Sequence, residues 1–166
     1  LVLTASFENT NPVNLGTVYA SASNSLVRGN YIGTNAAGTA AVPNGSVGLV
    51  VNAPSVTVGG TTPGARNVIS GNGNAGISLG VNFVTSTNLV VASGQGSVIA
   101  NNYIGLTSDG SAKLTNAQAG INSVVPNVTI GGTTALEGNR LAVAANNAGV
   151  SLQRQLNGAT PVSSAT

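Results

Sequence analysis

The stretch GNYIGTNAAGTAAVPNGSVGLVV, residues 29–51, decides the fold, because much of it returns as NNYIGLTSDGSAKLTNAQAGINS at residues 101–123. The four letters NYIG begin at Asn30 and again at Asn102, which gives an offset of 102 − 30 = 72 residues. The same offset relates VTVGGTT (56–62) to VTIGGTT (128–134). A fixed internal offset indicates a chain built by stacking copies of one structural unit.

The repeat preserves small and apolar residues, which we expect to set the geometry of each unit. We expect Ile32 to point inward, Gly33 and Gly38 to turn the chain, and the run TAAVPNG (39–45) to form a loop outside the core. After Asn139 the register shifts by one, and NAGISL (74–79) matches NAGVSL (147–152). The preserved pairs are Tyr31 and Tyr103, Ile32 and Ile104, Gly33 and Gly105, Gly38 and Gly110, Gly48 and Gly120, Gly59 and Gly131, Gly60 and Gly132, and Asn67 and Asn139.

Short runs rich in Val and Ile, such as GLVV, NVISGN and AGISLG, are bounded by Gly, Asn, Pro or Thr. This pattern predicts short strands separated by turns. A helix could form only in ALEGNRLAVAANN, residues 135–147. Its alignment with GARNVISGN favours a strand there, with a terminal cap helix as the alternative.

Two architectures suit such strands, an antiparallel sandwich or a solenoid, and the repeat favours the solenoid. A unit of 72 residues would hold about three coils of roughly 20–29 residues. Asn, Thr and Ser would stack in ladders at the bends, as amides bond to their equivalents one strand spacing away. We therefore predict an all-β parallel β-helix of roughly seven coils. Its segments would be an N-terminal coil or cap (1–23), a first repeat unit (24–95), a second (96–152) and a Ser/Thr-rich tail (153–166).

The motifs NYIGTNAAGTAAVPNG, VTVGGTTPGARNVISGNGNAGI and VTIGGTT resemble the right-handed parallel β-helix repeats of large secreted and cell-surface proteins of bacteria and archaea. The resemblance covers about residues 24–152. It implies a right-handed solenoid in an extracellular or cell-surface protein that serves as a surface module, stalk or adhesin-like region. The same fold also hosts pectin-lyase-like enzymes, so the resemblance does not decide function.

Charge is sparse: the chain has five Lys or Arg, three Asp or Glu and no His. The cations Arg28, Arg66, Lys113, Arg140 and Arg154 are scattered along the sequence, whereas nucleic-acid binding needs them clustered. Without Cys or His we expect no metal site, and we expect no cofactor. No apolar run approaches the roughly 18 residues of a membrane span.

Catalysis by carboxylates would need a pair of acids, and the only acids are Glu8, Asp109 and Glu137. They occupy unrelated positions of the repeat, and Lys113 lies in a polar turn. The match of GNGNAG (71–76) to a nucleotide-binding fingerprint lacks the following helix, so its glycines are interpreted as turn residues. We therefore predict a protein that is not an enzyme.

The leading hypothesis is a rigid structural rod for extracellular display or end-to-end assembly, through terminal coils that self-associate or continue into a longer chain. The alternative is a glycan- or surface-binding module, since the VTVGGTT and VTIGGTT motifs offer two aligned Thr rows. Tyr31 and Tyr103 are interpreted as a stacked structural pair rather than a sugar platform. A polysaccharide lyase-like enzyme is the third hypothesis. Asn44 and Asn127 lie in sequons for N-glycosylation.

Overall fold

The computed structural model describes residues 2–3, 7–8, 18–80 and 93–153, with side chains for 20–80 and 93–153. The prediction of an all-β chain is confirmed, because the described residues form strands and a single 3₁₀ turn, Pro63–Ala65. The strands are β1 (Val2–Leu3), β2 (Phe7–Glu8), β3 (Val18–Ala20), β4 (Leu26–Arg28), β5 (Tyr31–Ile32), β6 (Leu49–Val51), β7 (Thr57–Gly59), β8 (Val68–Ile69), β9 (Ile77–Leu79), β10 (Val98–Ala100), β11 (Tyr103–Ile104), β12 (Ile121–Ser123), β13 (Thr129–Ile130), β14 (Arg140–Leu141) and β15 (Val150–Leu152).

These strands form three parallel sheets. Sheet A has the order β1-β3-β6-β9-β12-β15, sheet B the order β2-β4-β7-β10-β13, and sheet C the order β5-β8-β11-β14. Each strand pairs with the strand about one coil earlier and one coil later in the chain, and every named pair is parallel. The chain therefore visits sheets A, B and C in turn, which is the path of a parallel β-helix and confirms the predicted solenoid.

Four complete coils are present in the described residues, each with one strand in every sheet. Coil 1 contains β3, β4 and β5; coil 2 contains β6, β7 and β8; coil 3 contains β9, β10 and β11; and coil 4 contains β12, β13 and β14. Strands β1 and β2 precede coil 1, and β15 follows coil 4. Six strands of sheet A at a spacing of about 4.8 Å give a stack roughly 24 Å long.

The predicted count of roughly seven coils was wrong, because the coils are longer than assumed. Leu49 pairs with Ile77 (77 − 49 = 28), and Ile77 pairs with Ile121 (121 − 77 = 44). Two coils of 28 and 44 residues together make up the 72-residue unit. The repeat therefore contains a pair of unlike coils instead of three similar ones.

The core runs along the axis of the stack and is formed by one apolar column from each sheet. In sheet C the column is Ile32, Ile69 and Ile104, all fully buried, followed by the half-buried Leu141. Because side chains alternate along a strand, the residue next to each core residue points to the outer face of its sheet. Burying each of these side chains stabilises the fold by about 1.5–3 kcal/mol.

Two loops outside the core carry the bland sequence that marks the repeat. Residues 34–41 and 106–113 each close with an antiparallel bridge, Thr34 to Ala41 and Leu106 to Lys113. Although coil 2 lies between their coils, the loops touch: the Ser108 amide donates to the Gly38 carbonyl at 2.9 Å, and Ser108 Oγ donates to the Ala37 carbonyl at 2.7 Å. The small residues of these loops therefore allow one loop to stack directly on the other.

The segment 135–147 contains β14 and turns, so the predicted strand is confirmed and the cap helix is not found. In the part of the chain that the structure describes, no helix has the length and apolar character needed to cross a bilayer. The predicted tail falls outside the described residues from 154 onward, as does much of the predicted N-terminal segment.

Candidate functional site

Asp109 and Glu137, the acids whose side chains the structure describes, each accept hydrogen bonds within a local turn. Asp109 Oδ1 accepts hydrogen bonds from Thr107 Oγ1 at 2.6 Å and from the Ser111 amide at 3.0 Å. These bonds lower the pKa of Asp109 to about 2, and the bond from the Thr107 side chain has the largest effect. The carboxylate therefore stays ionised and shapes the second loop.

Glu137 has the same kind of role in another turn. Its Oε2 accepts hydrogen bonds from the amides of Thr134 at 2.8 Å and Thr133 at 3.0 Å. These bonds hold the pKa of Glu137 below its usual range. The bonds to Thr134 have the largest effect, and the bond to the Thr133 amide has a smaller one. The side chain of Glu8 lies outside the described residues, and Lys113 is exposed. No cluster of three or more potential metal-ligating residues occurs in the described ranges.

A ladder of asparagines crosses all four coils at the bend between sheets B and C. Nδ2 of Asn30 donates to Oδ1 of Asn67 at 3.0 Å, Asn67 to Asn102 at 2.8 Å, and Asn102 to Asn139 at 3.0 Å. Each acceptor Oδ1 also receives the backbone amide of the preceding asparagine at 3.0–3.3 Å. The predicted ladder is present, and the repeat partners Asn67 and Asn139 are separated by one further rung, Asn102.

A second ladder lies after sheet C. Asn44 Nδ2 donates to Asn72 Oδ1 at 2.8 Å, and Asn72 Nδ2 donates to Asn116 Oδ1 at 2.8 Å. Asn72 belongs to GNGNAG, and β9 follows that segment, so its glycines lie in a turn that leads to a strand.

Asn44, in the first glycosylation sequon, is only 5% exposed, so a glycan on its Nδ2 would have to displace the ladder bond. Asn127 is exposed, and its glycosylation stays a prediction.

Several of the repeated glycines lie where neighbouring coils approach each other. At Gly59, φ is +86°, and a Cβ would collide with the carbonyl oxygen of Ala100 in the next coil. Its repeat partner Gly131 has φ +93°, but a Cβ there would meet no described atom within 4 Å. Positive φ angles also occur at Gly33, Gly38, Gly60, Gly105 and Gly110. Gly48, Gly120 and Gly132 do not have a positive φ. A Cβ at Gly48 or Gly120 would approach a backbone carbonyl of the next coil, and a Cβ at Gly132 would approach the Glu137 side chain.

Tyr31 and Tyr103 do not stack on each other, contrary to the prediction. In sheet C, Tyr31 pairs with Val68, and Val68 pairs with Tyr103, so a valine separates the rings. The expected row of Thr57 and Thr129 is interrupted for the same reason, because Val98 lies between them. Both errors arise because the 72-residue unit spans two coils.

Two arginines that are distant in sequence meet at the Tyr103 ring. The Arg66 guanidinium carbon lies 4.2 Å from the ring centroid and that of Arg140 lies 5.1 Å from it. Arg66 also donates through Nε and Nη2 to Asn101 Oδ1, and Arg140 donates to Tyr103 Oη at 3.3 Å. From the sequence, these cations were interpreted as scattered. The cluster was missed because it can be recognised only when the register of the coils is known. The cluster joins coils 2, 3 and 4 through side chains.

A polar groove of about 240 Å³ lies on the outer face of sheet A, between the residues that lead into β12 and those around β15. Asn122 is one of its lining residues, and its Oδ1 is buried and accepts no hydrogen bond from the described residues. Asn147 is held in place by donating through Nδ2 to the Ala117 carbonyl at 2.9 Å. The polar side chains that line the groove are those of Gln118, Asn122, Asn146, Asn147, Ser151 and Gln153.

The fold and these surfaces define the chain as a parallel β-helix solenoid. Comparisons with protein-family models, with curated proteins and with solved structures found no match to the chain.

Proposed function

We propose that the chain is a non-catalytic structural module, a rigid β-helix rod of an extracellular or cell-surface protein that extends by adding coils at its ends. The main observation behind this proposal is that the last strand of each sheet has one unpaired edge in the described residues. Strands β13, β14 and β15 each end their sheet in the described residues, so three parallel strand edges lie at the same end of the stack. Unpaired strand edges favour pairing with further strands.

The apolar side chains at this end support the same conclusion. Val150 and Leu152 continue the core columns of sheet A, through their pairing with Ile121 and Ser123, yet they are 39% and 60% exposed. A further coil stacked on β15 would bury them. We propose that this coil comes either from a continuation of the chain or from a second copy, and the repeats resemble surface proteins in which such rods occur.

The internal bonding supports a rigid rod. The four-rung Asn ladder and the contact between the two loops connect coils independently of the strand hydrogen bonds. The described acids support a non-catalytic role, since Asp109 and Glu137 are each committed to a local turn.

Self-association of the isolated chain tests the proposal. We expect sedimentation velocity to show concentration-dependent growth and electron microscopy to show rods longer than one chain. Leu152→Lys should weaken association, because it introduces a charge at the open end of the core. Leu136→Lys is the matched control, since Leu136 is exposed (48%) but lies outside every strand.

A monomer at all concentrations would contradict assembly between copies. Equal association of the two lysine variants would contradict the location of the contact. Cleavage of pectin-like polymers that disappears in Asp109→Asn or Glu137→Gln would replace the proposal with the enzyme hypothesis.

A further inference from the structure

The amide-lined groove on sheet A has an internal counterpart in which four of its six polar side chains are replaced. The backbone frame of the two places is the same. The Gly120 amide donates to the Ala148 carbonyl at 3.1 Å, and the Ile121 amide to the Gly149 carbonyl at 2.9 Å. In the first repeat, Gly48 donates to Ala75 and Leu49 to Gly76 at the same two distances, 3.1 and 2.9 Å.

The side chains on this common frame differ. Gln118 and Asn122 stand where the first repeat has Ser46 and Val50 at the 72-residue offset. Asn146 and Gln153 stand where the first repeat has glycines, Gly73 and Gly80, at the offset of 73 that follows the register shift. Because the first repeat folds into the same frame without these four amides, coil stacking does not require them.

Asn122 indicates that a ligand of the groove would be a hydrogen-bond donor. It projects from the outer face of sheet A, in register with Ser78 and Ser151. Its Oδ1 is buried and without a donor among the described residues, and a buried acceptor without a partner costs about 1–3 kcal/mol. A rotation of the Asn122 amide about χ2 that brings Oδ1 into the groove would let a ligand hydroxyl supply the missing donor.

The other groups in the groove indicate the class of ligand. None of the residues that line it is charged, so nothing in it favours an anion or a cation. Amides present donors and acceptors side by side, and a sugar hydroxyl is both a donor and an acceptor. A volume of about 240 Å³ is below the ~300–1,000 Å³ of sites for drug-sized ligands and suits a single sugar residue.

We propose that the groove lined by Gln118, Asn122, Asn146, Asn147, Ser151 and Gln153 is a binding subsite for one residue of a neutral oligosaccharide. Asn122 Oδ1, brought into the groove by rotation of its amide, accepts a hydroxyl, and the surrounding amides bind the neighbouring hydroxyls. A site without an aromatic platform holds one sugar weakly, so useful affinity comes from several copies on a rod engaging one polymer. Binding of one sugar does not depend on the assembly proposed above, whereas the gain in affinity from several copies does.

The test is a titration of the full chain followed by NMR of the side-chain amide signals. The probes are three neutral oligosaccharides, namely manno-, gluco- and N-acetylglucosamine oligomers, and one oligogalacturonate. We expect one or more neutral oligomers to shift the Asn122, Asn146 and Gln118 amide signals. Asn122→Val, which installs the residue of the first repeat, should weaken binding at least 10-fold with an unchanged circular dichroism spectrum. Gln95→Ser, which removes an exposed amide outside the groove, should leave binding unchanged.

Several results would overturn the proposal: no shift with any neutral oligomer, equal binding by Asn122→Val, or binding of the oligogalacturonate alone. Shifts of the same amides on raising the protein concentration without sugar would assign the groove to a second copy, which also overturns it. Sedimentation of Asn122→Val separates the two proposals, because loss of sugar binding with intact self-association leaves the rod in place.

Discussion

Coil 2 and coil 4 have related sequences and the same backbone frame, yet their side chains have different surroundings. Ile69 in coil 2 is fully buried, whereas its repeat partner Leu141 in coil 4 is only partly buried. The strand after coil 2 contains the fully buried Ile77 and Leu79, and the strand after coil 4 contains the exposed Val150 and Leu152. The difference arises from the neighbours, because a coil inside the stack is covered on both sides. In a solenoid, the energetic importance of a residue is set by its coil's place in the stack as much as by its type.

The largest contrast is expected at the repeated glycines. Gly59→Ala adds a Cβ at φ +86° that collides with the Ala100 carbonyl, so we expect a loss of more than about 3 kcal/mol in the free energy of unfolding, or failure to fold. Gly131→Ala has the same backbone strain without the collision and should cost about 1–2 kcal/mol. Urea unfolding followed by circular dichroism measures both. Equal losses would show that the neighbouring coil does not set the difference.

A smaller contrast is expected in the core columns of sheet A. Ile77→Ala empties a fully buried position and should lower the free energy of unfolding by about 2–5 kcal/mol. Val150→Ala, at the equivalent position of the open end, should cost less than about 1 kcal/mol. The same urea titration applies. If association buries Val150, its cost should rise with protein concentration, which links this comparison to the assembly proposal.

The arginine cluster joins the two repeats, because Arg66 lies in the first and Tyr103 and Arg140 lie in the second. Arg66→Ala removes a guanidinium over Tyr103 and two hydrogen bonds to Asn101, so we expect a loss of about 1–2 kcal/mol. Arg66→Lys keeps the charge but loses the paired hydrogen bonds, and should fall between the wild type and Arg66→Ala. Thermal unfolding of the three proteins measures the order. A fully stable alanine variant would show that the cluster does not hold the coils together.

The smallest effect is expected in the two loops, and it depends on pH. Asp109 has a pKa of about 2 in the fold, against an ordinary value of 3.8. Its contribution to stability is therefore fully present above about pH 4 and is lost as the pH falls toward 2. The stability difference between the wild type and Asp109→Asn should shrink across this range. The first loop has Ala37 at this position, so Ala37→Ser should give a pH-independent difference. A constant difference for Asp109→Asn would contradict the assignment.

The sequence was sufficient to predict short strands, their solenoid arrangement and the Asn ladder, because these follow from residue types and from one repeat distance. It was not sufficient to predict the number of coils, since the two coils within the repeat differ in length and share little sequence. That error carried over to Tyr31 and Tyr103, which Val68 separates. The groove and the arginine cluster could not be predicted for the same reason: Asn122 meets Ser151, and Arg66 meets Tyr103, only once the coil register is known.

The contact between Ser108 and Gly38 limits how the chain can be lengthened or shortened by duplication and deletion of gene segments. The two loops meet across an intervening coil, so inserting or deleting a single coil would place each loop over a partner of the wrong kind. An inserted or deleted pair of coils keeps every loop in contact with an equivalent loop. The smallest segment that can be copied without breaking this contact is therefore the 72-residue pair, and the bland residues of the loops fix that length.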